Sequence, residues 1–163
     1  MRLQDPRSGY WVELSPTRYE FPDGDDSWLV IEGRVGGTAE EWTFRDPALT
    51  AVELAELVTW LRECATTEGT RVAGDELWFL EPSLGFELIA VNDDIVSIAV
   101  ALEHDAAPPS TFEAAVDDKK RPFVMKRATG YRLDFALTRR ELASAVEHLA
   151  AEAARFPRRA TEY

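Results

Sequence analysis

The chain has 163 residues, 45% hydrophobic and 29% charged, which excludes a disordered segment and leaves enough apolar material for a core. Its net charge of −12 disfavours nucleic acid and anionic membrane as partners and favours basic proteins. No apolar run reaches membrane-spanning length, no signal-peptide pattern opens the chain, and the lone Cys64 has no disulfide partner, so the expected location is the cytoplasm.

The first predicted strand is "YWVEL", with Tyr10, Val12 and Leu14 on one side and Trp11 and Glu13 on the other. Next comes "YEFPDGDDSWLVIEGRV", an aromatic-proline turn with Asp23, Asp25 and Asp26 leading into a second strand. That strand alternates Leu29, Ile31 and Val35 against Trp28, Val30, Glu32 and Arg34. "GG" at 36–37 turns it into "EEWTFRD", an antiparallel hairpin. Thr50 then N-caps a helix over 50–65, with Glu53 three residues on as its capping-box partner and Leu54, Leu57, Val58 and Leu61 as the apolar stripe.

The second half repeats the scheme. "ELWFL", "LGFELIAV" and "IVSIAVALE" read as strands joined at "PS" and "NDD". Residues 104–121 read as a loop with a short helical turn started by Ser110 and Glu113. A strand centred on "YRLDFAL" feeds a helix over 138–154, capped by Thr138 and Glu141 and ended before Pro157.

These runs of strands punctuated by single helices predict one α+β domain over residues 1–163. The expected architecture is a mostly antiparallel sheet of about six or seven strands, with the two long helices on one face. The matching helix starts "ALTAVEL" and "ALTRREL" admit an internal duplication of units near 10–65 and 76–154, as well as two independent strand-to-helix joints. Leu29, Ile31, Leu77, Phe79, Leu84, Phe86, Leu88, Val96, Ile98, Val100 and Leu102 should face the helices. The opposite phase carries Trp11, Glu13, Trp28, Glu32, Glu87 and Glu103, a mixture of tryptophan and carboxylate suited to binding a protein.

Charge is unevenly spread. Residues 1–118 hold 7 basic against 25 acidic residues, a net of −18, whereas residues 119–163 hold 11 against 5, a net of +6. The basic end carries no recognisable nucleic-acid motif.

Little chemistry is visible. With only His104, His148 and Cys64, no zinc spacing exists, and "DGDD" lacks the alternating acids, central glycine and terminal glutamate of a calcium loop. No cofactor is implied. There is no nucleophile elbow, Cys64 falls beside the apolar stripe as an inert thiol, and "VGGT" is too short to cradle phosphate. A hydrolase built on converging Glu32, Glu81, Glu87 and Glu103 stays open as an alternative.

In order, "YEFPDGDDSWLVIEGRV", "EWTFRDPALTAVELAELVTWLRE", "LWFLEPSLGFEL", "IAVALEHDAAPP" and "LDFALTRRELASAVEHLAAEAARFPRR" make the chain resemble the WapI-type immunity proteins over nearly its whole length. "FRDPALT" with its helix and "LWFLEP" are the most specific pieces, and they are fold signatures rather than catalytic motifs. The resemblance implies a non-enzymatic bacterial protein that binds and neutralises a cognate toxin domain, commonly a nuclease, in the producer's cytoplasm. An acidic inhibitor suits such a basic target. Asp23, Asp25, Asp26, Trp28, Glu32, Trp11 and Glu13 are the candidate contact residues. An acidic module for another basic partner is the alternative from charge alone.

Overall fold

Alternating burial along the strands divides the chain into inner and outer phases, and two separate ladders result. The computed structural model describes residues 1–24, 27–37, 39–66, 69, 71–116, 119–126 and 130–159, with side chains for all of these except 113–116 and 122–126. The first sheet is an antiparallel meander of β1 (Arg2–Gln4), β2 (Trp11–Tyr19), β3 (Trp28–Gly36) and β4 (Trp42–Thr50). Its last strand runs straight into α1 (Ala51–Ala65). The second sheet contains β5 (Glu76–Trp78), β6 (Leu84–Val91), β7 (Ile95–Leu102) and β10 (Tyr131–Thr138), paired in that order. β8 (Phe112–Val116) and β9 (Pro122–Lys126) pair with each other as a two-stranded sheet, and α2 (Arg139–Ala153) follows β10.

The single sheet of six or seven strands is therefore corrected to two four-stranded antiparallel sheets and a separate hairpin. β1 and β10 approach each other, but the join is a side chain. The Asp5 carboxylate just after β1 accepts the Ala136 amide of β10 at 3.3 Å, in the place where a ladder carbonyl would serve. The same carboxylate accepts the Arg7 amide at 2.7 Å and the Ser8 amide at 3.4 Å. Burial by itself raises the Asp5 pKa, and these backbone donors outweigh it, so the carboxyl lies below its ordinary value.

Both sheets turn their apolar phase into one shared core. Leu29, Ile31, Leu77, Phe79, Leu84, Phe86, Leu88, Val96, Ile98, Val100 and Leu102 are all buried in it, as their periodicity predicts. Leu54, Leu57, Trp60 and Leu61 of α1 and Leu142, Val146 and Leu149 of α2 enter the same cluster, and the two helices pack on each other. Both helices carry the complete capping box anticipated from Thr50–Glu53 and Thr138–Glu141.

Three local expectations change. Val30 is buried rather than outward, because bulges interrupt β3 pairing on both sides of it and the Thr17 hydroxyl donates to its carbonyl at 3.1 Å. The helical turn placed at Ser110–Glu113 is replaced by 3₁₀ turns at His104–Ala106 and Pro109–Thr111, after which Phe112 opens β8. The strand "ELWFL" stops at Trp78.

Candidate functional site

On the outer face of the first sheet the ladder register brings Trp11, Glu13 and Glu32 together. Glu13 lies opposite Arg2 on one side and Arg34 on the other, and Glu32 lies opposite Arg45. Each opposition becomes an ion pair: Arg2 Nη1 to Glu13 Oε1 at 2.7 Å, Arg34 Nη1 to Glu13 Oε2 at 3.5 Å, and Arg45 Nη2 to Glu32 Oε1 at 2.9 Å. The Arg2 guanidinium also lies 4.3 Å from the centre of the Trp11 ring. A Cβ on Gly36 would stand 2.3 Å from Trp11 Cζ2, so that glycine is what lets the indole lie flat on the strand. The groove beside these residues holds about 620 Å³ and is lined by Glu13, Ser15, Glu32, Arg34, Thr43 and Arg45. Its carboxylates are matched by guanidinium groups, so this face is charge-balanced rather than acidic.

Sequence reasoning missed that balance. Arg34 is visible in the outer phase, but the pairing partners of Glu13 and Glu32 depend on the registers of three strand pairs, which the connections and bulges set rather than alternation.

The acidic turn is held from the far end of the chain. Asp23 is exposed within it, whereas Asp25 and Asp26 lie outside the described residues. Arg159 Nη1 donates to the carbonyls of Phe21 at 2.8 Å and Gly24 at 2.7 Å, and its amide donates to Ser27 Oγ at 3.1 Å. The Arg159 guanidinium stacks 3.6 Å from the Tyr19 ring centre, and the Tyr19 hydroxyl donates to the Pro157 carbonyl. Arg18 binds the carbonyls of Tyr19 and Glu20. Both arginines engage backbone and leave the Asp23 carboxylate outward.

Trp28 stands apart from Trp11, at the other end of β3 and opposite Thr50. Half-buried, it adjoins the start of α1, where the Ala51 amide donates to the Ser27 carbonyl at 2.8 Å. Glu53 then ties this corner to the second sheet. Its Oε2 accepts the Thr50 amide at 2.8 Å and the Thr50 hydroxyl at 2.9 Å, while its Oε1 accepts the Leu80 amide at 2.8 Å. That last bond draws the chain out of the β5 ladder and explains the early end of the strand.

On the second sheet Trp78 lies over Gly85, where a Cβ would meet Trp78 Cζ3 at 2.6 Å, and its indole N–H donates to Glu76 Oε2 at 3.1 Å. Arg132 is held by Glu87 and by Asp134, the latter at 2.9 Å, which raises its pKa. Of the four glutamates considered for hydrolysis, Glu32 is on the first sheet and Glu87 on the second, and both are paired with arginine.

Among the described residues no group of three or more His, Cys, Asp or Glu side chains could hold a metal ion, and no helix is long and apolar enough to cross a membrane. Cys64 is buried, and burial pushes its thiol up to about 12, which leaves it protonated and poorly nucleophilic.

The sequence model described as the Immunity protein WapI-like family matches residues 2–157. No curated protein and no solved structure matches the chain.

Proposed function

We propose, on the premise that this chain belongs to the WapI-like immunity protein family, that it neutralises a cognate toxin domain by binding it, without chemistry of its own. The match across residues 2–157 carries this reading. The net charge of −12 makes a basic toxin domain the fitting target, with a nuclease as the toxin class and the cytoplasm as the place of action. In this reading Asp23, Asp25 and Asp26 steer the partner, while Trp28 and the face of Trp11, Glu13 and Glu32 lie within the contact. Glu13 and Glu32 would exchange an internal arginine for one from the toxin, so their net contribution is small compared with that of the exposed Asp23.

The cognate toxin domain, identified by pull-down or from the neighbouring genes, provides the test. Co-expression of the wild-type chain should restore growth to cells making that domain, and the purified pair should form a stoichiometric complex. Full toxin activity at a molar excess of this protein would reject the proposal. Within a complex, Asp23→Lys, Asp25→Lys and Asp26→Lys combined should lower the association rate at low salt and flatten its salt dependence, with thermal stability unchanged. Unchanged kinetics would mean that the turn is only solvated.

A further inference from the structure

Three large apolar side chains project near the corner that Glu53 ties together. Phe21, in the acidic turn, is 52% exposed, while Trp78 and Leu80 are 48% and 79% exposed. A leucine exposed this far beside a half-exposed tryptophan is costly to leave in water, and such pairs commonly mark docking sites. Their placement is fixed rather than incidental. Trp78 is seated on Gly85, and the amide of Leu80 is bonded to Glu53 Oε1 at the N-terminal turn of α1. β5 is moreover an edge strand, paired with β6 alone.

The charge around this edge differs from that of the first sheet. Glu53, Glu76, Glu81 and Glu87 lie on or beside it, with Asp75 just before it, whereas Arg71 is paired with Glu63 and Asp75, and Arg132 with Glu87 and Asp134. The first sheet instead sets Arg2, Arg34 and Arg45 against Glu13 and Glu32. Carboxylate in excess and apolar surface therefore coincide at β5.

Resting on the toxin-binding reading, the geometry points to Leu80 and Trp78 as the apolar anchor of the interface. Their occupant is a segment of the basic toxin domain with an apolar side chain flanked by arginine or lysine. The apolar residue packs on Leu80 and the Trp78 ring, and the cations meet Glu76 and Glu81. The hydrogen bonds through Thr50 and Glu53 place this anchor on the same corner of the fold as Trp28 and the acidic turn.

The experiment measures dissociation of a catalytically dead form of the cognate toxin domain from wild type, Leu80→Ser, Trp78→Ala and Val91→Ser. Leu80→Ser removes a side chain that is almost wholly in solvent, so its fold should be intact, with far-UV circular dichroism and Tm as the check. Dissociation should quicken about tenfold or more for Leu80→Ser and Trp78→Ala, as expected for anchor residues. It should stay unchanged for Val91→Ser, at the distant end of β6. Wild-type dissociation rates in both Leu80→Ser and Trp78→Ala would overturn the anchor while leaving neutralisation standing. A wild-type chain that does not bind the toxin domain would overturn both. A dimer of this protein dispersed by Leu80→Ser would overturn it in favour of self-association.

Discussion

At the residue scale, the groups whose titration departs from the ordinary do structural work. Cys64 faces the core from α1, and the burial that raises its thiol to about 12 has a consequence for stability. The folded chain keeps a proton that the unfolded chain releases near 9.0, so stability is intact below that pH and falls as pH rises toward 12. The slope due to this one group is about 1.4 kcal/mol per pH unit. Cys64→Ala should lower stability at neutral pH by leaving a small cavity, yet lose less between about pH 8 and about pH 10.5 than the wild type does. Denaturant unfolding at the two pH values checks this, and parallel losses would show that the thiol is not what titrates. Asp5 shows the opposite sign. Its lowered pKa stabilises the fold above the pH at which an unfolded carboxyl titrates, and that contribution is lost as acid protonates the folded one.

At the scale of elements, the joint between β4 and α1 bears the most on the proposed interface. Thr50→Ala should cost about 1 kcal/mol by removing the N-cap. Glu53→Ala should cost more, about 2 kcal/mol, because it also frees the Leu80 amide. Hydrogen exchange separates the two: the Leu80 amide should exchange rapidly in Glu53→Ala and remain protected in Thr50→Ala. Equal protection in both would mean that the 2.8 Å bond contributes nothing to holding the edge. This joint also shows what was legible in the sequence. Thr50 and Glu53 announce the cap because its geometry is local, and the phase of Leu84, Phe86 and Leu88 announces the core because alternation is local. The second job of Glu53 was not legible, since its partner lies 27 residues away. β1 was missed because three residues, Arg2–Gln4, are too few to show a period. The outward phase of Leu80 was legible, because Leu77 and Phe79 alternate inward, whereas the end of the strand at Trp78 was not. At the acidic turn the aspartates were visible, whereas Arg159 closing it from the C-terminal segment was not.

At the scale of the whole molecule, three arginines of the basic end, Arg132, Arg139 and Arg159, are engaged within the fold. Arg139 Nη1 donates to the carbonyls of Cys64 at 3.2 Å and Thr66 at 2.6 Å, and its Nη2 reaches that of Asn92 at 2.8 Å, so it staples the end of α1 to the β6–β7 turn. Arg132 is held by carboxylates and Arg159 closes the acidic turn. Each half of the chain is a four-stranded antiparallel meander followed by a capped helix, with the β8–β9 hairpin inserted in the second. That common order is compatible with an internal duplication and equally with two independent strand-to-helix joints. The shared core and the α1–α2 contact further support treating both units as one domain, since neither sheet has a helix layer and core to itself. The consequence can be tested by cutting between Thr66 and Arg71. Fragments 1–66 and 71–163, made separately, should lack cooperative thermal unfolding, because each exposes the apolar face that the other covers. Mixed in equal amounts they should regain it, with a Tm that rises with concentration as bimolecular assembly requires. A fragment 1–66 that unfolds cooperatively by itself would show that the first meander and α1 form an independent domain. In that case the bonds from Glu53 to Leu80 and from Arg159 to the acidic turn would be contacts between domains rather than within one.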